Sequence, residues 1–97
     1  MDMTAVKNAF ASIAARGDLV RNHHFDDGDD QGLYFNFTFG TPAPSLLWSV
    51  IWSTIYESSE FGAEMKMASM AMCSAEDGWD TYLQLYHFDP KVPREAV

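Results

Sequence analysis

From residue 31 to residue 56 the chain carries no charged side chain. A run of that length either crosses a membrane or folds into a protein interior. The "GTPAP" at 40–44 decides between the two. A glycine and two prolines break any continuous helix, and the uncharged residues behind them, 45–56, fall short of the roughly 20 that a spanning helix needs. The run therefore divides. Ahead of the break, "LYFNFTF" at 33–39 puts Leu33, Phe35, Phe37 and Phe39 on one parity and Tyr34, Asn36 and Thr38 on the other, the pattern of a strand with one face on a core. Behind it, Thr41 and Pro42 supply an N-cap and a first-turn proline. Leu46, Leu47, Trp48, Val50, Ile51, Trp52, Ile55 and Tyr56 then predict a helix running to Ser58 or Ser59, with Gly62 beyond its end. That apolar surface is wider than the stripe of about 100° a surface helix uses, so the helix is either sandwiched or meets another chain.

The flanking segments follow from spacing. Val6, Phe10 and Ile13 recur at helical intervals among Ala5, Ala9, Ala11, Ala14 and Ala15, and Gly17 closes the pattern. This predicts a helix over 4–16. "DLVRNHHF" at 18–25 predicts a strand, joined to 33–39 by the hairpin loop "DDGDDQG". Asp77-Gly78 is a hairpin signal. It joins 81–88, with Leu83 and Leu85 inward, to 65–74, which is read as a strand in spite of its Met and Ala content and a switch of parity near Ala68 and Ser69. The two prolines of 90–97 predict a loose tail. The expected fold is α+β in the order α-β-β-α-β-β: one domain over 1–97, a four-stranded, mostly antiparallel sheet with two helices packed on one face. A right-handed crossover between strands two and three would bring Glu57, Glu60 and Glu64 to the same end as Asp26, Asp27, Asp29 and Asp30, in one acidic rim.

Charge excludes one large class of function. Fourteen acidic against six basic residues give a net charge of −8, the wrong sign for binding nucleic acid. An acidic chain can instead be steered onto a basic protein. A single cysteine, Cys73, permits no intramolecular disulfide, and "MDMTAVKNAF" has no signal-peptide pattern. A soluble, cytoplasmic protein is expected, with no membrane partner.

The most chemically loaded stretch is "HHFDDGDD" at 23–30. Read as an EF-hand loop with Gly32 at its sixth position, it offers Asp27, Asp29 and Gln31 as ligands, but its twelfth position is Thr38 where a bidentate Glu is required. His23 and His24 are adjacent, so in a strand they point to opposite faces. No metal, cofactor or catalytic residue is expected. Cys73 sits before an acidic turn that disfavours a thiolate, and no phosphate-binding loop is present. "NFT" at 36–38 fits a glycosylation acceptor but lies in a predicted strand with no secretion signal ahead of it, and "RGD" at 16–18 is read as the end of a helix and the start of a strand. Two features remain for binding. One is the acidic rim. The other is aromatic: Tyr34, Tyr82 and Tyr86 fall on the less apolar parity of their strands, where an uncharged aromatic sheet face can dock a partner.

In size, acidity and α/β layout the chain resembles the small immunity proteins that bacteria make against toxins, and it has some likeness to small acidic secretion chaperones. The first resemblance implies an antitoxin-like inhibitor that occludes a basic toxin enzyme with acidic loops and aromatic anchors. The second implies a homodimeric, chaperone-like interaction protein. A metal protein or enzyme is a third reading.

Overall fold

A computed structural model describes residues 3–29, 33–57, 60–75 and 78–97. Helix α1 (Met3–Ala14) buries Val6, Phe10 and Ile13, the stripe the spacing predicts. It ends in a turn in which the Arg16 carbonyl accepts from the N–H groups of both Leu19 and Val20. That turn buries Leu19 and Val20, the residues expected to open a strand. Pairing starts only at Arg21, whose N–H reaches the Gly40 carbonyl at 2.9 Å.

Strands β1 (Asn22–Asp29) and β2 (Leu33–Gly40) form an antiparallel hairpin from Asn22↔Gly40 to Asp29↔Leu33. The expected alternation of β2 holds: Phe35, Phe37 and Phe39 pack on the core while Tyr34, Asn36 and Thr38 are exposed. Phe37 is the hub of this half. Its ring stacks on Phe10 of α1 at 4.0 Å and touches Phe25 across the hairpin at 5.0 Å.

Helix α2 (Pro44–Ile51) begins one residue pair later than Thr41-Pro42 predicts. Thr41 Oγ1 accepts the N–H of Ala43 at 3.0 Å, which shapes the lead-in, and Pro44 takes the first-turn position. The helix runs on into a π-helical turn, Trp52–Glu57, that buries Ile55 and Tyr56. Trp48, Trp52 and Tyr56 form a continuous aromatic group there, with Trp52 stacked on Tyr56 at 5.0 Å.

The segment expected to be one strand over 65–74 is two elements. Helix α3 (Gly62–Ala68) is followed, after the extended residue Ser69, by strand β3 (Met70–Ala75). The parity switch at Ala68 and Ser69 is this boundary, and the helix-favouring Met and Ala residues before it do form a helix. Gly62 allows the close approach of α3 to the π turn: a Cβ at Gly62 would collide with the Tyr56 carbonyl oxygen. Strand β4 (Gly78–His87) pairs antiparallel with β3, and Ala75 faces Gly78 across the hairpin.

Among the described residues the strands form two separate two-stranded sheets, β1-β2 and β3-β4, instead of one four-stranded sheet. The described residues also form three α-helices instead of two. One apolar cluster joins the parts, drawing Val6, Phe10 and Ile13 from α1, Ile55 and Tyr56 from the π turn, Met65 from α3 and Tyr86 from β4.

Candidate functional site

The acidic residues of 26–30 sit where the β1-β2 ladder puts them. Asp26, Asp27 and Asp29 lie within β1, not in a loop, and all three are exposed. The register pairs Asp26 with Asn36, Gly28 with Tyr34, and Asp27 with Phe35. Alternation therefore splits them: Asp26 shares a face with Tyr34, and Asp27 and Asp29 share the other. Asp30 lies outside the described residues.

Tyr34 is 43% exposed and anchors this hairpin. Its ring lies on the backbone of Gly28, where an added Cβ would come within 2.5 Å of the hydroxyl and 2.6 Å of Cζ. Glycine in a strand leaves room for such a close approach, and an aromatic partner covers the gap. The result is an exposed phenol on the face of the hairpin that also carries Asp26.

Glu57 ends the π turn, Glu60 precedes α3 and Glu64 lies in the first turn of α3, where a carboxylate complements the helix dipole. All three are exposed. The crossover that was to bring them beside β1 required β2 and β3 in one sheet, and they are in two. The crossover argument for a single acidic rim therefore does not apply to this fold.

The three tyrosines also separate. Tyr82 is exposed on β4. Tyr86 is buried at 4% and is not on an open face. The reason is a β-bulge: the register steps from Met72↔Gln84 to Ala71↔Tyr86, so β4 holds an extra residue, Leu85, and the inward parity passes to Tyr86. The Gln84 side-chain amide spans the irregularity, donating to the carbonyls of Ala71 at 3.2 Å and Tyr86 at 2.6 Å. The Tyr86 ring packs on Trp52 and Tyr56, and its hydroxyl donates to the Lys66 carbonyl at the end of α3. Beside it, Tyr56 hydrogen-bonds Ser69 at 2.7 Å, and burial pushes the Tyr56 phenol above its usual pKa, with the Ser69 bond acting the other way.

Three of the six basic side chains lie over aromatic rings. Lys7 lies 4.8 Å from the Phe25 ring, Lys66 and Arg94 lie 5.4 and 5.7 Å from Trp52, and Arg94 lies 4.6 Å from Tyr86. Arg16 pairs with Asp18 at 3.2 Å and holds that carboxyl below its usual pKa. Arg94 and its neighbour also fasten the end of the chain. The Glu95 N–H donates to the Gln84 carbonyl at 2.7 Å, and its carboxylate accepts the Gln84 N–H at 3.1 Å. These contacts hold positions 94 and 95 more closely than a loose tail would.

Among the described residues no three His, Cys, Asp or Glu side chains are grouped to hold a metal ion. His23 faces Phe39 and His24 faces Thr38, on opposite sides of β1. The half-buried Cys73 thiol lies 3.4 Å from the Ser74 carbonyl. A cleft of about 250 Å³ between α1 and the first hairpin is lined by Phe10, Phe25, Phe37 and Phe39 together with Lys7, His23, His24 and two alanines of α1.

Sequence reasoning missed one feature, a row of exposed methionines. Met67 of α3 is 77% exposed and Met70 and Met72 of β3 are 53% and 57% exposed, and Tyr82 of β4 and Phe88 after it are exposed as well. The shared parity of Met70 and Met72 was the available signal. Comparison of the chain with protein-family models, with curated proteins and with solved structures returns no match.

Proposed function

We propose that this protein is an acidic, immunity-type binding module that neutralises a basic partner, a toxin enzyme with a phosphate-handling or nucleic-acid cleft, by covering its active site. The observation that supports this reading is the β1-β2 hairpin, which exposes Asp26, Asp27 and Asp29 along β1, with Asp26 on the face that carries the Tyr34 ring and Asp27 and Asp29 on the other. The carboxylates take the place of substrate phosphates, and the tyrosine supplies a rigid apolar anchor. Glu57, Glu60, Glu64 and Asp30 add to the long-range field that speeds encounter, and Tyr82 extends the aromatic surface on the second hairpin. The setting proposed is the cytoplasm; among the described residues no helix is long and apolar enough to cross a membrane.

The test compares wild type with the combined Asp26→Asn, Asp27→Asn and Asp29→Asn variant as bait in a native-host extract. A basic protein held by wild type is expected to be lost from the variant, and its association rate should fall steeply with added salt. Equal capture by both baits, or an association rate indifferent to salt, would refute the proposal.

A further inference from the structure

The cleft between α1 and the first hairpin is built from two stripes of residues. On α1, Lys7, Phe10, Ala11 and Ala14 recur at helical intervals and line one wall. On the hairpin, the register sets His23 opposite Phe39 and Phe25 opposite Phe37, so these four share one face of the ladder. Phe10 is buried and stacks on Phe37 at 4.0 Å, so the two walls touch there. Beside that contact Ala11 and Ala14 present single methyl groups, and a space of about 250 Å³ stays open. The lining is aromatic, and its ionisable members are basic. No acidic side chain lines the cleft, in a chain with fourteen acidic and six basic residues. Asp27 shares the hairpin face but stands opposite Phe35, outside the lining. Lys7 is exposed, and its ammonium lies 4.8 Å from the Phe25 ring, over one wall. Among the described residues it is paired with no carboxylate.

We infer that this cleft binds a small aromatic carboxylate, with its ring among Phe10, Phe25, Phe37 and Phe39 and its carboxylate on Lys7. Each part of the ligand answers to a part of the site. The phenylalanine rings favour a flat ring, which they can meet edge-on or offset-stacked. The lysine favours a carboxylate, which accepts a charge-assisted hydrogen bond from the ammonium. A neutral ring would leave that charge unanswered, and a cation would be repelled by it. The four-carbon stem of Lys7 is flexible enough to carry the ammonium from the Phe25 ring onto the ligand. The volume sets the size. Pockets for drug-sized ligands run from roughly 300 to 1,000 Å³, so this one suits a smaller molecule of about two fused rings. The site uses none of Asp26, Asp27, Asp29 or Tyr34, so it stands or falls separately from the binding of a basic partner.

Titration calorimetry with 1-naphthoate as the probe is the decisive measurement. Wild type is expected to bind one equivalent with a Kd below about 1 mM. The neutral analogue 1-naphthalenemethanol should bind about fivefold more weakly, and Lys7→Gln should weaken naphthoate by a similar factor, as the loss of a part-exposed charge pair does. Octanoate, which has the charge without the ring, should also bind more weakly. Ala11→Leu should abolish binding by filling the cleft; the position is exposed and leucine is a good helix former, so the fold is expected to stand. No saturable binding of naphthoate up to about 5 mM overturns the inference. So does equal affinity for the alcohol or for octanoate, or naphthoate binding that Lys7→Gln and Ala11→Leu leave unchanged. Nuclear Overhauser effects in wild type give a reading that needs no variant. The probe's ring protons should contact the methyl groups of Ala11 and Ala14, and contacts confined to other residues count against this site.

Discussion

Single residues in this protein are constrained more by the backbones they sit beside than by their own chemistry. Gly62 shows this most clearly, because the atom its Cβ would meet is a backbone carbonyl of the π turn and not a movable side chain. Gly62→Ala is expected to cost about 2 kcal/mol or more, as an overpacked buried site does, read as a lower urea midpoint at unchanged slope; no loss of stability would show that α3 can shift aside. At Tyr56, burial raises the folded-state pKa above the ordinary 10.0. The stabilisation of the neutral phenol is fully present below pH 10 and is lost as pH rises through the folded value. Urea midpoints should therefore fall above pH 10, and Tyr56→Phe should flatten that fall while removing the Ser69 hydrogen bond at a cost of about 1 kcal/mol. An equal alkaline decline in wild type and Tyr56→Phe would assign it to other groups. Some of this was legible in advance. Val6, Phe10, Ile13 and the phenylalanines of β2 go where their spacing puts them. Tyr86 does not, because one extra residue in β4 reverses the face of every residue beyond it, and nothing in "YLQLYHF" marks Leu85 as the extra one.

Elements with strong local signals form as their patterns predict, and those with mixed signals are settled by tertiary packing. α1 and β2 belong to the first kind. The stretch 62–75 belongs to the second: its methionines fit helix and strand equally, and the changeover at Ser69 is fixed by partners distant in sequence, Tyr56 on its hydroxyl and the β4 ladder after it. β1 is misplaced by four residues for a related reason. Asp and Gly favour turns when a segment is read alone, but here they continue the ladder, and Gly28 serves the ring of Tyr34. The C-terminal stretch is likewise held by an unlike element, through Arg94 on Trp52 and Tyr86 and Glu95 on Gln84. Arg94→Ala is expected to release it. The Glu95 amide should exchange several-fold faster and Trp52 emission should change, with a stability loss of about 1 kcal/mol or less. An unaltered Glu95 exchange rate would show that the ladder bonds to Gln84 suffice alone.

At the scale of the whole molecule the α+β class was legible and the sheet count was not. Alternation identifies strands, but it does not say which strands pair; among the described residues α2, the π turn and α3 come between β2 and β3 in sequence, and each hairpin pairs by itself. Net charge acts at this scale as well. Carboxylates outnumber cations, and several of the cations lie over aromatic rings, so self-repulsion opposes the folded state. The melting temperature should rise as salt is added over the range in which the Debye length contracts to about 8 Å; a fall would mean that attractive ion pairs dominate. The separation of the hairpins has a kinetic consequence too. Among the described residues each strand pairs with its neighbour in sequence, so these ladders close short loops and do not wait for a distant partner. Folding speed follows the locality of contacts, and stopped-flow refolding is expected on the millisecond scale or faster. For a chain whose β3 edge has no charge to repel an unrelated strand, a brief unpaired lifetime is itself a protection against misassembly.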